Sequence, residues 1–592
     1  MKKLFTDVAV IGGGGAGLRA AIAAKEKIPS LRVMLLSKKP LGVGGTTAIA
    51  CSDRMAFHAT LPYTLPEKDN WRHHAMDIYR IGGEVSDYNL AEILAKESAD
   101  ALEYLLSLNV PFARTKDGKI DQFLTDGSIY PRACYVGPET AVEIHRALLR
   151  RFKSLDVDLH ENAMLYDFIV KENRVVAAKF VDTTTDEPFC VFARAFVLAT
   201  GGAGRLFKRN VFPSEMTGDG YAAALRAGAE LVNLEFMQIG ICHPHILFAS
   251  SGSMFRSLPR VVDENGEEFL MKYLSSDDVS RLTELQFKKG AHWPVSYESP
   301  TKVIDLAVYA HLEKGHRVFL DFTKNPSYFC PESVPEEILK WSEKVDAKLF
   351  ALPTPYERLL KINPAVVEWL RERHIDLSKE PLEVQNALQH FQGGVKINER
   401  AQTSLKGLYA AGECAGGQHG ANRPGGNSLL DTQVFGKIAG ENAASEAQNA
   451  RIVDLPVEEE KITGEIPATE ARRKIVELVS RHGFLVRFDD ELRKALDELE
   501  RLEAKGIAKD EKGLTFLLET RNMLTVARAI LTAELIRNES RGPHLKFEIF
   551  DPPTMKFVPK KDEWNRYIVL RLVDGRLHYE IREPVRPREE GR

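Results

Sequence analysis

The stretch Asp7-Val8-Ala9-Val10-Ile11-Gly12-Gly13-Gly14-Gly15-Ala16-Gly17 decides the fold, and an alanine-rich segment follows it to residue 27. The apolar residues 8–11 predict a buried parallel strand. In the spacing Gly12-x-Gly14-x-x-Gly17 the first glycine permits a tight turn, the second admits a pyrophosphate, and the third lets helix and strand pack closely. The phosphates would lie at the helix N-terminus, where free N–H groups and the helix dipole favour negative charge. A glycine turn without a ligand is the alternative. The position of the glycine motif between a strand and a helix favours a nucleotide site.

Length and composition indicate a multi-domain globular protein. The chain has 592 residues, of which 44% are hydrophobic and 28% are charged, so about three or four domains are expected. The net charge of −4 gives no sign of a nucleic-acid partner or an anionic membrane. No apolar run approaches the roughly 18–20 residues of a spanning helix, so no direct membrane span is expected. The first strand leaves no room for a signal peptide, which predicts a cytoplasmic protein.

The cysteine pattern argues against a metal site held by this chain alone. None of the six cysteines shares C-x-x-C spacing with another, so neither an iron–sulfur cluster nor a structural zinc is expected, and no metal ligands are assigned. Most of the cysteines are expected to be reduced core residues.

Later segments extend the nucleotide interpretation. A second short strand, 32–36, is followed by Ser37-Lys38, where a generic dinucleotide fold has an acidic residue for the ribose, so a generic NAD site is disfavoured. The small-residue loop 42–48 suits passage of backbone along a planar ring, although a flexible loop is the alternative. The apolar strand that ends at Thr200-Gly201-Gly202 brings backbone close to a ligand a second time. Thr217-Gly-Asp-Gly220 opens a further helix.

Ordered blocks along nearly the whole chain resemble one family of flavoproteins. The blocks are the glycine loop with Ser37-Lys38, Ala199-Thr-Gly-Gly-Ala-Gly204, Thr217-Gly-Asp-Gly220 with Arg226-Ala-Gly-Ala229, Gly407-Leu-Tyr-Ala-Ala-Gly-Glu413, His419-Gly-Ala-Asn-Arg423, Asn427-Ser-Leu-Leu430 and Glu539-Ser-Arg-Gly542. Their order and spacing are similar to those of the succinate dehydrogenase and fumarate reductase flavoprotein subunits. Relatives of that family include L-aspartate oxidase and the alpha subunit of adenylylsulfate reductase.

The resemblance implies that the nucleotide is FAD. The implied contacts are Gly12, Gly14, Gly15, Ala16, Gly17, Ser37, Lys38, Gly45, Thr46, Thr47, Ala199, Thr200, Gly201, Asp219, Glu413, Asn427, Ser428 and Leu429. Glu413 can accept hydrogen bonds from ribityl or ribose hydroxyls. A helix that begins at 427–429 would point its N-terminus at the flavin and stabilise its anionic reduced form.

The expected fold class is α/β. The resemblance and the chemical pattern together predict a Rossmann-like FAD-binding domain with an inserted α+β capping domain, a C-terminal helical bundle and a short tail. The periodicity breaks up after residue 237, the region 468–540 is heptad-like, and Asp574-Gly575 indicates a hairpin. The predicted boundaries are 1–236 and 356–445 for the FAD-binding domain, 237–355 for the capping domain, 446–544 for the helical domain and 545–592 for the tail.

The sequence departs from the family at the substrate end. The family's proton-donating arginine falls on Leu306 in Val303-Ile304-Asp305-Leu306-Ala307, and leucine cannot donate a proton. Arg423, which the resemblance implies as a carboxylate ligand, is retained. The two catalytic histidines that the resemblance implies do not lie at the family's positions: His243 is displaced by several residues and His390 by one. For each histidine, a catalytic role and an ordinary packing role are given equal weight. Arg256 and Arg260 are candidate substitutes for the missing arginine.

Three functions follow from these residues. The first is a flavoprotein subunit that exchanges hydride with a small, dicarboxylate-like anion and electrons with a separate iron–sulfur subunit, since this chain lacks the cysteines. The second is the same scaffold with a substrate other than fumarate, because Leu306 removes the usual acid. The third is a non-catalytic electron-transfer flavoprotein in a larger complex.

We expect the FAD to be noncovalent. Many membrane-bound relatives link FAD to a histidine, and that position falls on Gly45, which has no side chain to form the bond. Acid precipitation of the purified holoprotein should therefore release the yellow flavin into the supernatant. A yellow precipitate after washing would contradict this prediction.

Overall fold

The structure is a computed structural model that describes residues 1–64, 68–125, 127–458 and 462–588. Parts of two predicted regions, residues 459–461 of the helical domain and 589–592 of the tail, lie outside the described residues. The centre of the FAD-binding domain is a five-stranded parallel sheet. Its strands, in spatial order, are Leu408–Ala410, Ala195–Leu198, Val8–Ile11, Val33–Ser37 and Asp158–Glu161. The predicted strand 8–11 is confirmed and lies inside this sheet, fully buried as expected for a parallel strand covered on both faces.

Two helices pack closely beside this sheet. Gly15–Lys27 follows the first strand, and Asn427–Asn449 runs against it. Glycines allow the contact: a Cβ at Gly440 would lie 2.1 Å from the Ala20 carbonyl oxygen, and one at Gly436 would lie 2.9 Å from the Ala16 carbonyl oxygen. The two helices therefore touch backbone to backbone.

A second sheet extends the FAD-binding domain. It is four-stranded, in the order Lys2–Phe5, Pro188–Phe192, Arg174–Asp182 and Ala163–Lys171. The other helices before the capping region are Thr46–Ile49, Trp71–Ile81, Tyr88–Lys96, Ser98–Ser107, Thr140–Lys153 and Asp219–Arg226. A short three-stranded sheet consists of Phe57–His58, Ala133–Cys134 and Gln122–Phe123.

The inserted region is built on a six-stranded sheet. Its strands, in spatial order, are Arg260–Asp263, Val318–Asp321, Leu382–Phe391, Met237–Cys242, Phe248–Ala249 and Cys51–Ser52. Its helices are Ser253–Arg256, Ser276–Ser280, Leu282–Lys289, Lys302–Glu313, Glu336–Ser342, Pro355–Ile362 and Pro364–Arg371. The apolar core beneath them continues to Ala387, past residue 355 where the sequence places the boundary. Strand Leu382–Phe391 pairs with both Val318–Asp321 and Met237–Cys242, so it carries the chain from the capping core back towards the FAD-binding domain.

The C-terminal bundle contains the helices Ala468–His482, Asp489–Lys505 and Gly513–Ile536. Its leucines Leu492, Leu499 and Leu502 are buried, as the heptad-like pattern predicts. A short two-stranded sheet, Ile466–Pro467 with Ile507–Ala508, accompanies the bundle. Among the described residues, every helix is too short or too polar to cross a membrane.

The tail forms the predicted hairpin. Tyr567–Val573 and Arg576–Arg582 pair antiparallel around Asp574 and Gly575, whose φ angles are 49° and 75°. Positive φ at both central residues is typical of a type I′ turn. The remaining short strands are Leu231–Val232, Gly394–Lys396, Ala415–Gly416, Phe547–Asp551 and Thr554–Phe557, and the 3-10 turns are Gly204–Leu206, Leu270–Lys272, Pro331–Ser333, Leu349–Ala351, Gly412–Cys414 and Asp562–Trp564. The hairpin joins the sheet that contains Leu231–Val232.

Candidate active site

A cavity, here called the glycine-loop cavity, lies at the carboxyl ends of the central parallel strands. The predicted cofactor residues that line it are Gly12, Gly14, Gly15, Ala16, Ser37, Lys38, Gly45, Thr46, Thr47, Ala199, Thr200, Gly201, Asp219, Glu413, Ser428 and Leu429. They come from segments more than 400 positions apart in the chain, and the fold brings them to one place. Of the predicted set, Gly17 and Asn427 do not line this cavity.

The geometry of the loop explains the three glycines. Gly12 has a φ of +120°, and a Cβ there would lie 2.1 Å from the Ala199 carbonyl oxygen. A Cβ at Gly17 would lie 1.8 Å from the Gly12 carbonyl oxygen, so Gly17 serves the turn and the helix packing and needs no ligand contact. At Gly14 the nearest atom, Thr47 Oγ1, is 3.9 Å from a Cβ position. That open space against bare backbone suits a phosphate group.

Asn427 faces away from the cavity, and this placement differs from the expectation for its side chain. It is fully buried, and its Oδ1 lies 3.5 Å from His74 Nε2. Because Asn427 begins the helix, its backbone turns the chain so that Ser428 and Leu429 line the cavity. The motif therefore fixes the helix start, while the Asn427 side chain packs behind it.

The residues present fit FAD. Thr46 Oγ1 is buried, lines the cavity and has no hydrogen-bond partner among the described residues, so a polar ligand would satisfy it. The first turn of Asn427–Asn449 offers backbone N–H groups at the cavity wall. Gly45 donates its N–H to Glu215 Oε1 at 2.6 Å, and without a side chain it cannot form a covalent bond to a flavin.

Glu413 is the acidic group of the cavity. Its Oε1 accepts a hydrogen bond of 2.9 Å from the Phe391 backbone N–H. Burial raises the pKa of Glu413 to about 7, although the nearby Arg423 acts in the opposite direction. The side chain is therefore close to half ionised at neutral pH, and a hydroxyl donor from a ligand would favour the carboxylate.

Lys38 links the cavity wall to the helical domain. Its Nζ lies 2.7 Å from Asp219 Oδ2 and 2.6 Å from Glu519 Oε1. Asn522 donates to Asp219 Oδ1 at 2.8 Å. Sequence reasoning missed Glu519 and Asn522 because they lie inside an ordinary helical pattern, about 300 residues from Asp219.

A second cavity, here called the cationic cavity, lies between the capping region and the FAD-binding domain. It has a volume of about 640 Å³ and meets the glycine-loop cavity at Met55, Gln389 and Ser428, which line both. Basic side chains on its walls are Arg54, Arg256, Lys344 and Arg423. A small anion bound here would lie beside a cofactor in the first cavity.

Arg423 is held at the junction of the two cavities. It is buried, its Nη2 lies 3.4 Å from Gln389 Oε1, and its Nη1 donates to the Pro424 carbonyl oxygen at 3.2 Å. These contacts fix the guanidinium in the wall of the cationic cavity. Arg423 therefore lines the cationic cavity, and its role as an anion ligand stays a prediction.

The structure does not bring the two implied histidines to the cationic cavity. His243 lines neither cavity, and its Nδ1 accepts hydrogen bonds from the backbone N–H groups of His245 and Ile246. His390 lines the glycine-loop cavity, and burial, reinforced by Arg423, holds its pKa well below the usual value. Gln389 lines the cationic cavity instead. The sequence did carry a signal for Gln389, because His390 lies one residue away from the family's histidine position.

Leu306 is also outside both cavities. It is fully buried on helix Lys302–Glu313 and belongs to the main apolar core. Its neighbour Asp305 pairs with Lys289 at 2.6 Å, and both side chains are inaccessible. This helix therefore serves packing in the present structure, and leucine suits that environment.

Arg256 and Arg260, the candidate substitutes, differ in placement. Arg256 ends the short helix Ser253–Arg256 and lines the cationic cavity, with its guanidinium 5.3 Å from the Trp341 ring centre. Arg260 lines neither cavity and pairs with Glu268 at 3.0 Å and Asp321 at 2.8 Å. Of the two, Arg256 is the one that lines the cationic cavity.

Asp53 holds the segment that carries Arg256, and sequence reasoning missed it. Its Oδ2 accepts from the Ser253 N–H at 2.7 Å and from Ser253 Oγ at 2.6 Å, while Oδ1 accepts from Ser251 Oγ at 2.6 Å. A Cβ at Gly252 would lie 2.5 Å from Asp53 Oδ2. The carboxylate therefore occupies the space that a side chain at Gly252 would need.

The fold and the first cavity define an FAD-dependent oxidoreductase. Residues 7–429 match the FAD binding domain family, and residues 472–580 match the fumarate reductase flavoprotein C-terminal family. An uncharacterized FAD-dependent oxidoreductase of Methanocaldococcus jannaschii is 32% identical, over 96% of each chain. A CoM/CoB fumarate reductase subunit of Methanothermobacter marburgensis is 30% identical, over 95% of this chain and 96% of that protein.

A solved structure agrees with these sequence relatives. Sdh1 of Mycobacterium smegmatis superposes with a TM-score of 0.74 at 26% identity, covering 100% of this chain and 96% of that chain. The chain belongs to the succinate dehydrogenase and fumarate reductase flavoprotein family, and its cofactor is FAD. The resemblance stated from the sequence blocks, and the fold class it implied, are confirmed.

Replacing Glu519 with Gln should weaken FAD binding. Lys38 would lose one of its two carboxylate partners, and a charge-assisted hydrogen bond contributes about 1.5–3 kcal/mol, part of which Asp219 retains. We expect an affinity about 3–10-fold lower, measured by fluorescence titration of the apoprotein with FAD. Glu498→Gln, which removes an exposed partner of Lys474 in the same domain, is the matched control. Equal affinities for wild type and Glu519→Gln would refute the link between the helical domain and the cofactor.

FAD affinity should also rise with pH through Glu413. The folded apoprotein holds the raised pKa of about 7, so the carboxyl is protonated at lower pH and must lose that proton to accept a ribose or ribityl hydroxyl. Binding should strengthen by up to about tenfold per pH unit below pH 7 and level off above it. Titrations from pH 5 to 8 check this dependence. Glu413→Gln should abolish the slope, and a variant that keeps it would assign the proton to another group.

Proposed function

We propose that this protein is the flavoprotein component of an oxidoreductase complex. It would transfer hydride between FAD and a small organic anion in the cationic cavity, and exchange electrons with a separate iron–sulfur subunit. The observation that carries the proposal is the junction of the two cavities at Met55, Gln389 and Ser428, with Arg423 in its wall. A substrate and a flavin can meet there directly.

The chain's own residues would bind and orient the anion. FAD, when bound, supplies two-electron hydride chemistry. Arg423 can present its guanidinium to a carboxylate, since that group donates parallel hydrogen bonds in a fixed plane. The helix that begins at Asn427 adds the favourable potential of its N-terminus beside Ser428. Together they would hold a negative group at the cofactor end of the cavity.

We assign the proton-donating role to Arg256. Reduction of a carbon–carbon double bond by hydride requires a proton at the adjacent carbon, and Leu306 cannot supply it. Arg256 belongs to the capping region and Arg423 to the FAD-binding domain, and both line the cationic cavity. The hydrogen bonds of Asp53 to Ser251 and Ser253 fix the short helix, so the guanidinium is presented from a defined backbone.

A separate iron–sulfur partner is supported by the cysteines and by a relative's name. In the part of the chain that the structure describes, the six cysteines form no disulfide; Cys330 is exposed and the others are buried. The Methanothermobacter marburgensis relative is named as a subunit of a fumarate reductase. Electrons would therefore leave or enter this chain through another polypeptide.

A second candidate keeps the scaffold and changes the substrate. The burial of Leu306 in the core favours it, because the element that bears the family's acid does not reach the cationic cavity. Fumarate and other unsaturated anions must therefore be compared directly. The non-catalytic electron-transfer alternative is distinguished by the same comparison.

Arg256→Gln should separate chemistry from cofactor binding. The FAD-loaded protein is reduced with dithionite and mixed with fumarate and a panel of other unsaturated anions, while flavin reoxidation is followed by absorbance. Loss of the positioned acid should slow reoxidation by the accepted anion roughly 10²–10⁴-fold, with FAD affinity unchanged. Arg281→Gln, which alters an exposed capping-region arginine paired with Glu284, is the control. A full rate in Arg256→Gln would sink the assignment.

The same measurement tests the proposed function. Reoxidation by an organic anion supports the enzyme. If no anion reoxidises the flavin, yet electrons pass to a co-purifying iron–sulfur protein, the chain is an electron-transfer flavoprotein and the proposal fails.

A further inference from the structure

The cationic cavity is large for a compact dicarboxylate. Its volume of about 640 Å³ falls within the ~300–1,000 Å³ of pockets that take drug-sized ligands. A four-carbon dicarboxylate would fill a small part of that space and leave the remaining walls in contact with water. The composition of those walls indicates what else the cavity is built to hold.

Aromatic rings form much of the wall. Phe123, Trp293 and Trp341 all line the cavity. The Trp293 ring fills the space beside Gly240, where a Cβ would lie 2.5 Å from Trp293 Cζ2, and its Nε1 donates to the Ile241 carbonyl oxygen at 3.1 Å. The indole is thus fixed in place, with its polar atom already used, so the surface it offers is hydrocarbon.

Large apolar side chains are exposed at the same cavity. Leu124, Ile129 and Val345 line it and are 42%, 62% and 39% exposed. Leu124 and Ile129 come from the FAD-binding side, and Val345 follows the capping helix Glu336–Ser342. Single exposed apolar residues are common on proteins, but several around one cavity mark a binding surface.

The basic residues do not form two equivalent carboxylate-binding sites. Arg423 is buried and lines the cationic cavity beside Gln389, which lines both cavities. Arg54 lies 5.0 Å from the Phe123 ring centre and 4.9 Å from that of Tyr135, and its Nη2 donates to the Ile362 carbonyl oxygen at 3.1 Å. Lys344 is exposed to solvent. The wall therefore offers one buried anion site at Arg423, while Arg54 and Arg256 both lie against aromatic rings.

We propose that the substrate is an amphiphilic monocarboxylate. Its carboxylate would bind Arg423 beside the flavin, and an aryl or similarly bulky apolar body would lie along Trp293 towards Leu124, Ile129 and Val345. This inference rests on the proposed function, in that the cationic cavity is the substrate site. It names the class of anion that the site accepts best.

Binding of saturated acids tests the proposal without requiring turnover. Succinate and 3-phenylpropionate are titrated into the oxidised, FAD-loaded full-length protein by calorimetry. We expect 3-phenylpropionate to bind at least tenfold more tightly, because its ring buries apolar surface that succinate lacks. Equal or tighter binding of succinate, or failure of 3-phenylpropionate to bind, overturns the proposal.

Variants of the exposed apolar residues locate the binding site of the ring. Ile129→Ser and Val345→Ser should each weaken 3-phenylpropionate about 3–10-fold and leave succinate unchanged. Leu360→Ser is the matched control, since Leu360 is 37% exposed on capping helix Pro355–Ile362 and does not line the cavity. If Ile129→Ser and Val345→Ser leave the binding of 3-phenylpropionate unchanged, or weaken the binding of both acids equally, the proposed position of the apolar body is wrong.

Reoxidation of the reduced flavin distinguishes a failure of this inference from a failure of the proposed function. The dithionite-reduced protein is mixed with fumarate or with trans-cinnamate, the unsaturated counterpart of 3-phenylpropionate. Faster flavin reoxidation by cinnamate supports both proposals, and faster reoxidation by fumarate overturns the inference alone. Tight binding of 3-phenylpropionate that depends on Ile129 and Val345, without reoxidation by these acids or by any other anion of the panel, supports the binding inference and refutes the catalytic function.

Discussion

The contact between Gly15–Lys27 and Asn427–Asn449 is the constraint on which the cofactor site depends. Gly436 and Gly440 let the long helix approach the backbone of the first helix, with no room for a Cβ at Gly440. Because both helices begin at the glycine-loop cavity, this contact sets the distance between their N-termini. Gly15 and Ala16 at the start of one helix line the glycine-loop cavity, and Ser428 at the start of the other lines both cavities. Two positive helix ends are thereby aimed into a single anion-binding space.

A buried group of ion pairs connects that site to the C-terminal domain. Arg537 pairs with Glu235 at 2.6 Å, and Arg487 pairs with Glu534 at 3.1 Å, with all four side chains inaccessible. Burial raises the pKa of Glu534 to about 8, against the opposing effect of Arg487. Such pairs contribute little net stability, but loss of one partner leaves a buried charge and is costly. Glu235 lies just before strand Met237–Cys242, which contains Gln238, a residue that lines the cationic cavity. The pair with Arg537 therefore ties the helical domain to the start of that strand.

The glycine loop and the tail hairpin could be predicted because their signals are local. The strand at 8–11, the glycine spacing and the Asp574-Gly575 turn each depend on neighbouring residues, and the structure contains all of them. The cationic cavity has no such signal. Asp53 acts on Ser253 across 200 positions, and Trp293 occupies space that the bare backbone of Gly240 leaves. No periodicity or spacing in the sequence reports contacts of this kind. Even within a motif, the side chain of Asn427 turns to His74 while its backbone does what the motif requires.

The two halves also differ in how tightly packing determines them. The glycine-loop cavity is fixed by parallel strands and by helices whose backbones touch, so few substitutions are compatible with it. The cationic cavity is assembled mainly from loops and short elements: residues 52–56, 121–125, 129–131, 249–256 and 341–345. Segments of this kind can change their side chains without disturbing the sheet. A leucine in the core at 306 is compatible with the same flavin scaffold, as is an arginine at 256 on a segment that Asp53 holds through Ser251 and Ser253. The glycine-loop motifs therefore identify the cofactor, while the substrate must be inferred from the walls of the second cavity.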